Sequence, residues 1–179
     1  MITRFLLTLV ISLLLANTAL AQRDYLTPQE VDLVKEAQIL DKRIDVFIRA
    51  AERRMMVING SAAANAKQLK KESERWGELP TGSRAELVFD IARIVDAAID
   101  NIDDVSLHDE RSPLIGKSLR KLATSMNSIM AQLKPLSEQA KSDAEIASFE
   151  QLNEGVQSIM EAVTKLPPEV EKKAKKDKN

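Results

Sequence analysis

Apolar residues along this chain recur three and four positions apart, and no stretch alternates as a half-buried strand would, so the pattern predicts an all-α protein. "LTPQE" opens a first helix: Thr27 can cap, Pro28 suits the first helical position, Glu30 completes a capping box, and Leu26 can staple onto Val31. Val31, Val34 and Ala37 form its short apolar face, which should end near Gln38. Asp41 reads as a second cap, followed by the stripe Ile44, Phe47, Ile48, Ala51, Met55 and Ile58, stopped by Asn59-Gly60. Residues 61–82 have helix propensity but few large apolar side chains, so they can be helical only with help from neighbours; "GELPTG" is a connector, and Trp76 a lid over a core edge.

Ser83 with Glu86 forms another capping box, ahead of Leu87, Ile91, Ile94, Val95, Ala98, Ile102 and Val105. Ser112-Pro113 opens a helix with Leu119, Leu122, Met126, Ile129 and Leu133 on one face, and Pro135 should end or kink it. Ser142 with Glu145 opens the last helix, which carries Ile146, Phe149, Leu152, Val156, Ile159, Val163 and Leu166 up to Pro167-Pro168. Four long amphipathic helices and a short leading one predict an antiparallel helical bundle over residues 22–166. A Lys-rich disordered tail is expected over 167–179, with five lysines among its last eight residues and no apolar anchor.

The opening "MITRFLLTLVISLLLANTALAQ" has one basic residue, an apolar run and a small-x-small site at Ala19-Leu20-Ala21. That layout predicts a signal peptide over residues 1–21, a mature start at Gln22 and a periplasmic or secreted protein, with no membrane contact after cleavage. The chain has no cysteine, which excludes disulfides, thiolate metal sites and covalent haem attachment. Loss of Arg4 with the leader lowers the basic count of 26 by one, against 27 acidic side chains, so no general attraction to nucleic acid is expected.

The densest charge is "DAAIDNIDDVSLHDE", Asp96–Glu110, which also holds the single histidine. With Asp96 as zero and about 100° per residue, Asp100 falls at about 40°, Asp103 at about −20° and Asp104 at about 80°, opposite the core positions at about 140–240°. That is a solvated face, with Arg93 among the acids as counterion. Asp96, Asp100 and Asp103 are the candidates for a hard-cation site, but the stretch lacks a D-x-D-x-D-G loop and Glu-x-x-His pairs. His108 reads as a solvated loop residue without a second histidine for zinc. Met126 and Met130 read as core packing rather than ligands for Cu(I) or haem. No nucleophile elbow or phosphate-cradling loop is present, so neither an enzyme nor a cofactor is expected.

The helix from Asp41 carries Val46, Ala50 and Val57 opposite its main stripe, with Arg43, Arg49, Arg53 and Arg54 around them; this strip is either covered by residues 61–82 or open to a partner. The expectation is a protein–protein interaction or structural module of the cell envelope, with another envelope protein as partner. The alternatives are a divalent-metal-binding protein using the acidic face, or a periplasmic chaperone. "YLTPQEVDLVKEAQ" and "LPTGSRAELVFDIARIVDAAIDNIDDV" resemble uncharacterised exported helical proteins of soil bacteria such as acidobacteria, a likeness that implies export and a helical fold and brings no functional residues. "LTPQE" is also similar to the L-T-x-x-Q motif of small periplasmic chaperones related to Spy and CpxP, with Glu30 where that family has Gln.

Overall fold

The computed structural model describes residues 24–167, so the leader and nearly all of the tail lie outside the described residues. Six α-helices account for 77% of what is described, without a strand among the described residues. They are α1 Pro28–Glu36, α2 Leu40–Ile58, α3 Ala66–Trp76, α4 Arg84–His108, α5 Pro113–Ser137 and α6 Asp143–Thr164. The caps explain most of the starts. Thr27 and Ser83 each accept from the backbone N–H three residues on, and Glu30 and Glu86 answer by accepting from the cap's own N–H. Ser142 accepts from Glu145 N–H, but the Glu145 carboxylate pairs across the molecule with Arg84 instead of closing the box.

Four helices surround the core. α2 packs on α4 and α5, and α6 packs on the same two, while α4 and α5 make a lighter contact. Ile44, Leu87, Val88, Ile91, Ile94, Leu122, Met126, Leu133, Leu152 and Ile159 are fully buried between them, each worth about 1.5–3 kcal/mol of transfer free energy. Residue pairs give the directions. Arg43 meets Asn101 and Arg54 meets Asp90, so α2 and α4 run oppositely. Asp41 meets Lys117 and Asn59 meets Gln132, so α2 and α5 run the same way. Arg84 meets Glu145 and Asp96 meets Gln151, so α4 and α6 also run the same way. α4 and α6 approach closely: a Cβ on Gly155 would lie 2.9 Å from Val95 Cγ1, so only glycine fits there without displacement.

Several local expectations change. α2 starts at Leu40, with Ile39 at the cap position and no side-chain cap; Asp41 lies inside the first turn, 5% exposed, and accepts from Lys117 Nζ at 2.9 Å and Lys121 Nζ at 2.7 Å. A carboxylate offered two ammonium groups by α5 gains more there than by capping its own helix. α5 runs two residues past Pro135 and stops at Ser137, close to where the proline is expected to end or kink it; Pro135 has no N–H to donate to Ala131 O, so the last turn is one hydrogen bond short. Ile146, expected inside, is 41% exposed, and His108 is the last residue of α4 rather than part of the following loop. The uncertain stretch contributes α3, and the help it needs comes from α2, as follows.

Candidate functional site

Two adjacent arginines on α2 organise one side of the molecule. Arg53 and Arg54 are each 1% exposed, and Glu30 of α1 and Asp90 of α4 are buried with them. Glu30 Oε1 lies 2.7 Å from Arg54 Nη1 and 3.3 Å from Arg53 Nε, while its other oxygen accepts from Thr27 N–H in the capping box. Asp90 Oδ2 lies 3.8 Å from Arg54 Nε. Two cations face two anions, so the cluster is neutral, which is the condition under which charges tolerate burial. Burial holds the Arg53 guanidinium below its ordinary pKa, opposed by the charge of Glu30.

The remaining donors tie down backbone. Arg53 Nη2 donates to the carbonyls of Trp76, Gly77 and Glu78 at 3.1, 3.2 and 2.6 Å, capping the end of α3 with a cation where the helix leaves its carbonyls unpaired. Its guanidinium also lies 5.6 Å from the centroid of the Trp76 ring, which is 9% exposed. Arg54 donates to Tyr25 O at 2.6 Å and to Ala50 O at 2.9 Å. Arg49 reaches Glu72 in the middle of α3 at 2.6 Å. These contacts are the outside help that a helix with Trp76 as its single buried residue requires.

The strip read from the sequence as a possible partner surface is therefore mostly interior. Val46 is 7% exposed and Ala50 is fully buried, Arg53 is committed to the cluster, Arg49 to Glu72 and Glu52, and Arg43 to Ala37 O and Asn101; Val57 is half-buried. α1 and the end of α3 occupy that side of α2 because Arg53 and Arg54 need counterions and acceptors once they leave water.

Beside the cluster lies a cleft of about 990 Å³ between α1, the connector 78–82 and the start of α4. Arg54 and Asp90 form part of its lining, and Asp24, Asp32, Glu78 and Glu86 stand around them with Lys35 as the other cation, so its walls are acidic. Thr27, Pro28, Leu79 and Pro80 add apolar and rigid surface.

The acidic stripe does not assemble. Asp96 is half-buried and accepts from Gln151 Nε2 at 3.1 Å, whereas Asp100, Asp103 and Asp104 are exposed. Among the described residues, no group of three His, Asp or Glu side chains could hold a metal ion. Arg93 stands 5.6 Å over the Tyr25 ring, not among the acids as their counterion. His108 Nδ1 lies 2.7 Å from Asp104 O on an exposed turn, Met126 is fully buried, and Met130 lies at the core margin.

The local pattern assigns Thr27 and Glu30 to a capping box. The available signal was phase: Glu30 shares a helical face with Leu33, which is 4% exposed, so a carboxylate was bound to enter the interior opposite a pair of arginines. No family model matches this chain, and comparison with curated proteins and with solved structures gives no match either.

Proposed function

We propose that this protein is an exported interaction module of the cell envelope, a single bundle of four helices that works by binding another protein rather than by catalysis. The observation that carries this reading is the acidic cleft beside α1, whose floor contains a charge cluster already neutralised internally. Catalysis needs a group poised to exchange a proton or attack. Glu30, Arg53 and Arg54 instead spend most of their polar atoms on backbone carbonyls, a cap and one another, while the Nε atoms of both arginines face carboxylates at 3.3 and 3.8 Å without a hydrogen bond. A cleft walled by Asp24, Asp32, Glu78, Glu86 and Asp90 against Lys35 and Arg54 suits a basic segment of a partner protein. The sequence of the leader supports export, and no described helix is long and apolar enough to cross a membrane. The bundle combines antiparallel α2/α4 and α5/α6 pairs with parallel α2/α5 and α4/α6 pairs, and α1 and α3 flank it.

Photocrosslinking in intact cells tests the reading. A photoreactive side chain at Asp32 or Thr81, on the cleft rim, should capture the same protein, and Glu78→Lys should abolish that capture. Equal capture from Asp143 or Glu154, both exposed outside the cleft lining, would count against the cleft as the contact site.

A further inference from the structure

The turn between α1 and α2 is unlike every other junction among the described residues. Gly60, the Gly77–Gly82 connector with its Ser83 cap, Ser112-Pro113 and the capping Ser142 supply local reasons for the chain to stop or restart elsewhere. Between α1 and α2 no helix-breaking residue stands: Gln38 Nε2 donates to Lys35 O, but α1 ends on an alanine, α2 begins without a side-chain cap, and no glycine or proline occurs from Gln29 to Ile58. The spacing Leu33, Ala37, Leu40, Ile44, Phe47, Ala51 runs through the break at alternating four and three, so a continuous helix would keep one apolar stripe.

The bend is thus held by side-chain contacts and not by a helix-breaking residue. Arg43 Nε donates to Ala37 O at 3.0 Å, Arg53 and Arg54 hold Glu30, Arg54 holds Tyr25 O, and Leu26 and Leu33 are buried. α1 packs only on α2 and α3, with the acidic cleft on one flank and a second one of about 550 Å³, lined by Leu33, Ala37, Ile39, Val46 and Trp76, on the other. When α1 lifts, the charges it covers regain water, which offsets part of the lost ion pairing, and the apolar area given up is small: Leu26, Leu33 and the half-buried Val31 and Val34.

We infer that α1 is an exchangeable arm, and that a second copy of this chain docks its own α1 in the berth on α2, setting its Glu30 against Arg53 and Arg54. The berth demands an amphipathic helix with a carboxylate one turn before a buried leucine, and the partner's α1 supplies both. Reciprocal exchange remakes every contact twice, and α1 precedes all the other described helices, so it can leave without unthreading them. This inference goes beyond the interaction reading and stands without it.

Two experiments decide. In the first, dimer is measured by light scattering after refolding at rising protein concentration, for the wild type and for Gln38→Pro. Proline suits the bent state: Ala37 sits at φ −76°, ψ 83°, outside the helical region, and Gln38 N–H makes no backbone hydrogen bond among the described residues. The wild type should dimerise with concentration, and Gln38→Pro should lower the dimer fraction at least tenfold with its melting temperature unchanged. In the second, Glu30→Arg and the single variant Arg54→Glu are refolded together. Only exchange between copies gives matched charges in both berths, so a heterodimer should exceed either homodimer at least tenfold. A wild type that stays monomeric to millimolar concentration, or a dimer unaffected by Gln38→Pro and not enriched by mixing, would overturn the inference.

Discussion

The Glu30 carboxylate and the Arg54 guanidinium meet at 2.7 Å with both side chains removed from water, joining the first turn of α1 to the second half of α2. Deleting one partner of a buried pair leaves the other charge uncompensated, which typically costs about 3–5 kcal/mol. Glu30→Gln should therefore destabilise the protein by about that amount in urea unfolding. Replacing Glu30 and Arg54 together by methionines should not recover the loss, because it leaves Arg53 and Asp90 buried without the charges they face.

Asp41 carries a pH dependence whose sign follows from its contacts. Hydrogen bonds from Lys121 and Lys117 hold its carboxyl below the ordinary aspartate value of 3.8. A depressed folded-state pKa adds stability that is present above the unfolded value and lost as pH falls through the folded one. Asp41→Asn should therefore cost about 1–2 kcal/mol at neutral pH. The gap to wild type should close progressively below about pH 4. A gap that persisted at pH 2 would mean that packing, not charge, is responsible.

Ser118 is fully buried on α5, and its Oγ has no hydrogen-bond partner. Burying an unsatisfied hydroxyl costs roughly 1–3 kcal/mol. Ser118→Ala should raise the unfolding free energy by about 1 kcal/mol, read from the denaturation midpoint at constant slope.

Gly155 tests the α4/α6 contact. Alanine improves helix propensity by about 1 kcal/mol, yet its methyl would meet Val95 Cγ1 at 2.9 Å, and overpacking of this kind costs about 1–3 kcal/mol. Gly155→Ala should be destabilising in the wild-type background and stabilising in Val95→Ala. Equal effects in both backgrounds would break the proposed contact.

The exposed acids of α4 repel one another. Relief of like-charge repulsion should make Asp100→Asn neutral or stabilising by a few tenths of a kcal/mol. Melts in chelator and in millimolar Ca²⁺ should coincide for both proteins; a calcium-dependent loss of several degrees in the variant would revive a cation site at Asp96, Asp100 and Asp103.

Much of the fold is legible because helix periodicity and capping act locally. The Thr27–Glu30 and Ser83–Glu86 boxes, the stripe from Leu87 to Ile102 and the stop at Gly60 appear as the sequence implies. The site was not legible, because it depends on contacts between segments distant in sequence. Arg53 reads as part of a possible partner strip until α3 places three carbonyls over it, and Glu145 reads as a capping residue until Arg84 arrives from α4. Long polar side chains near a helix boundary have two competing uses, and local pattern shows only one of them.

Native-state hydrogen exchange on wild type and Glu30→Gln measures directly whether the buried charges act as the lock on α1. In the wild type, amides of Val31–Glu36 should open at a lower free energy than those of Ile91–Ile102 in α4, because α1 can lift without global unfolding. In Glu30→Gln, protection in α1 should collapse while α4 and α6 keep most of theirs. Wild-type α1 amides as well protected as those of α4, or α1 protection unchanged by the substitution, would contradict the account.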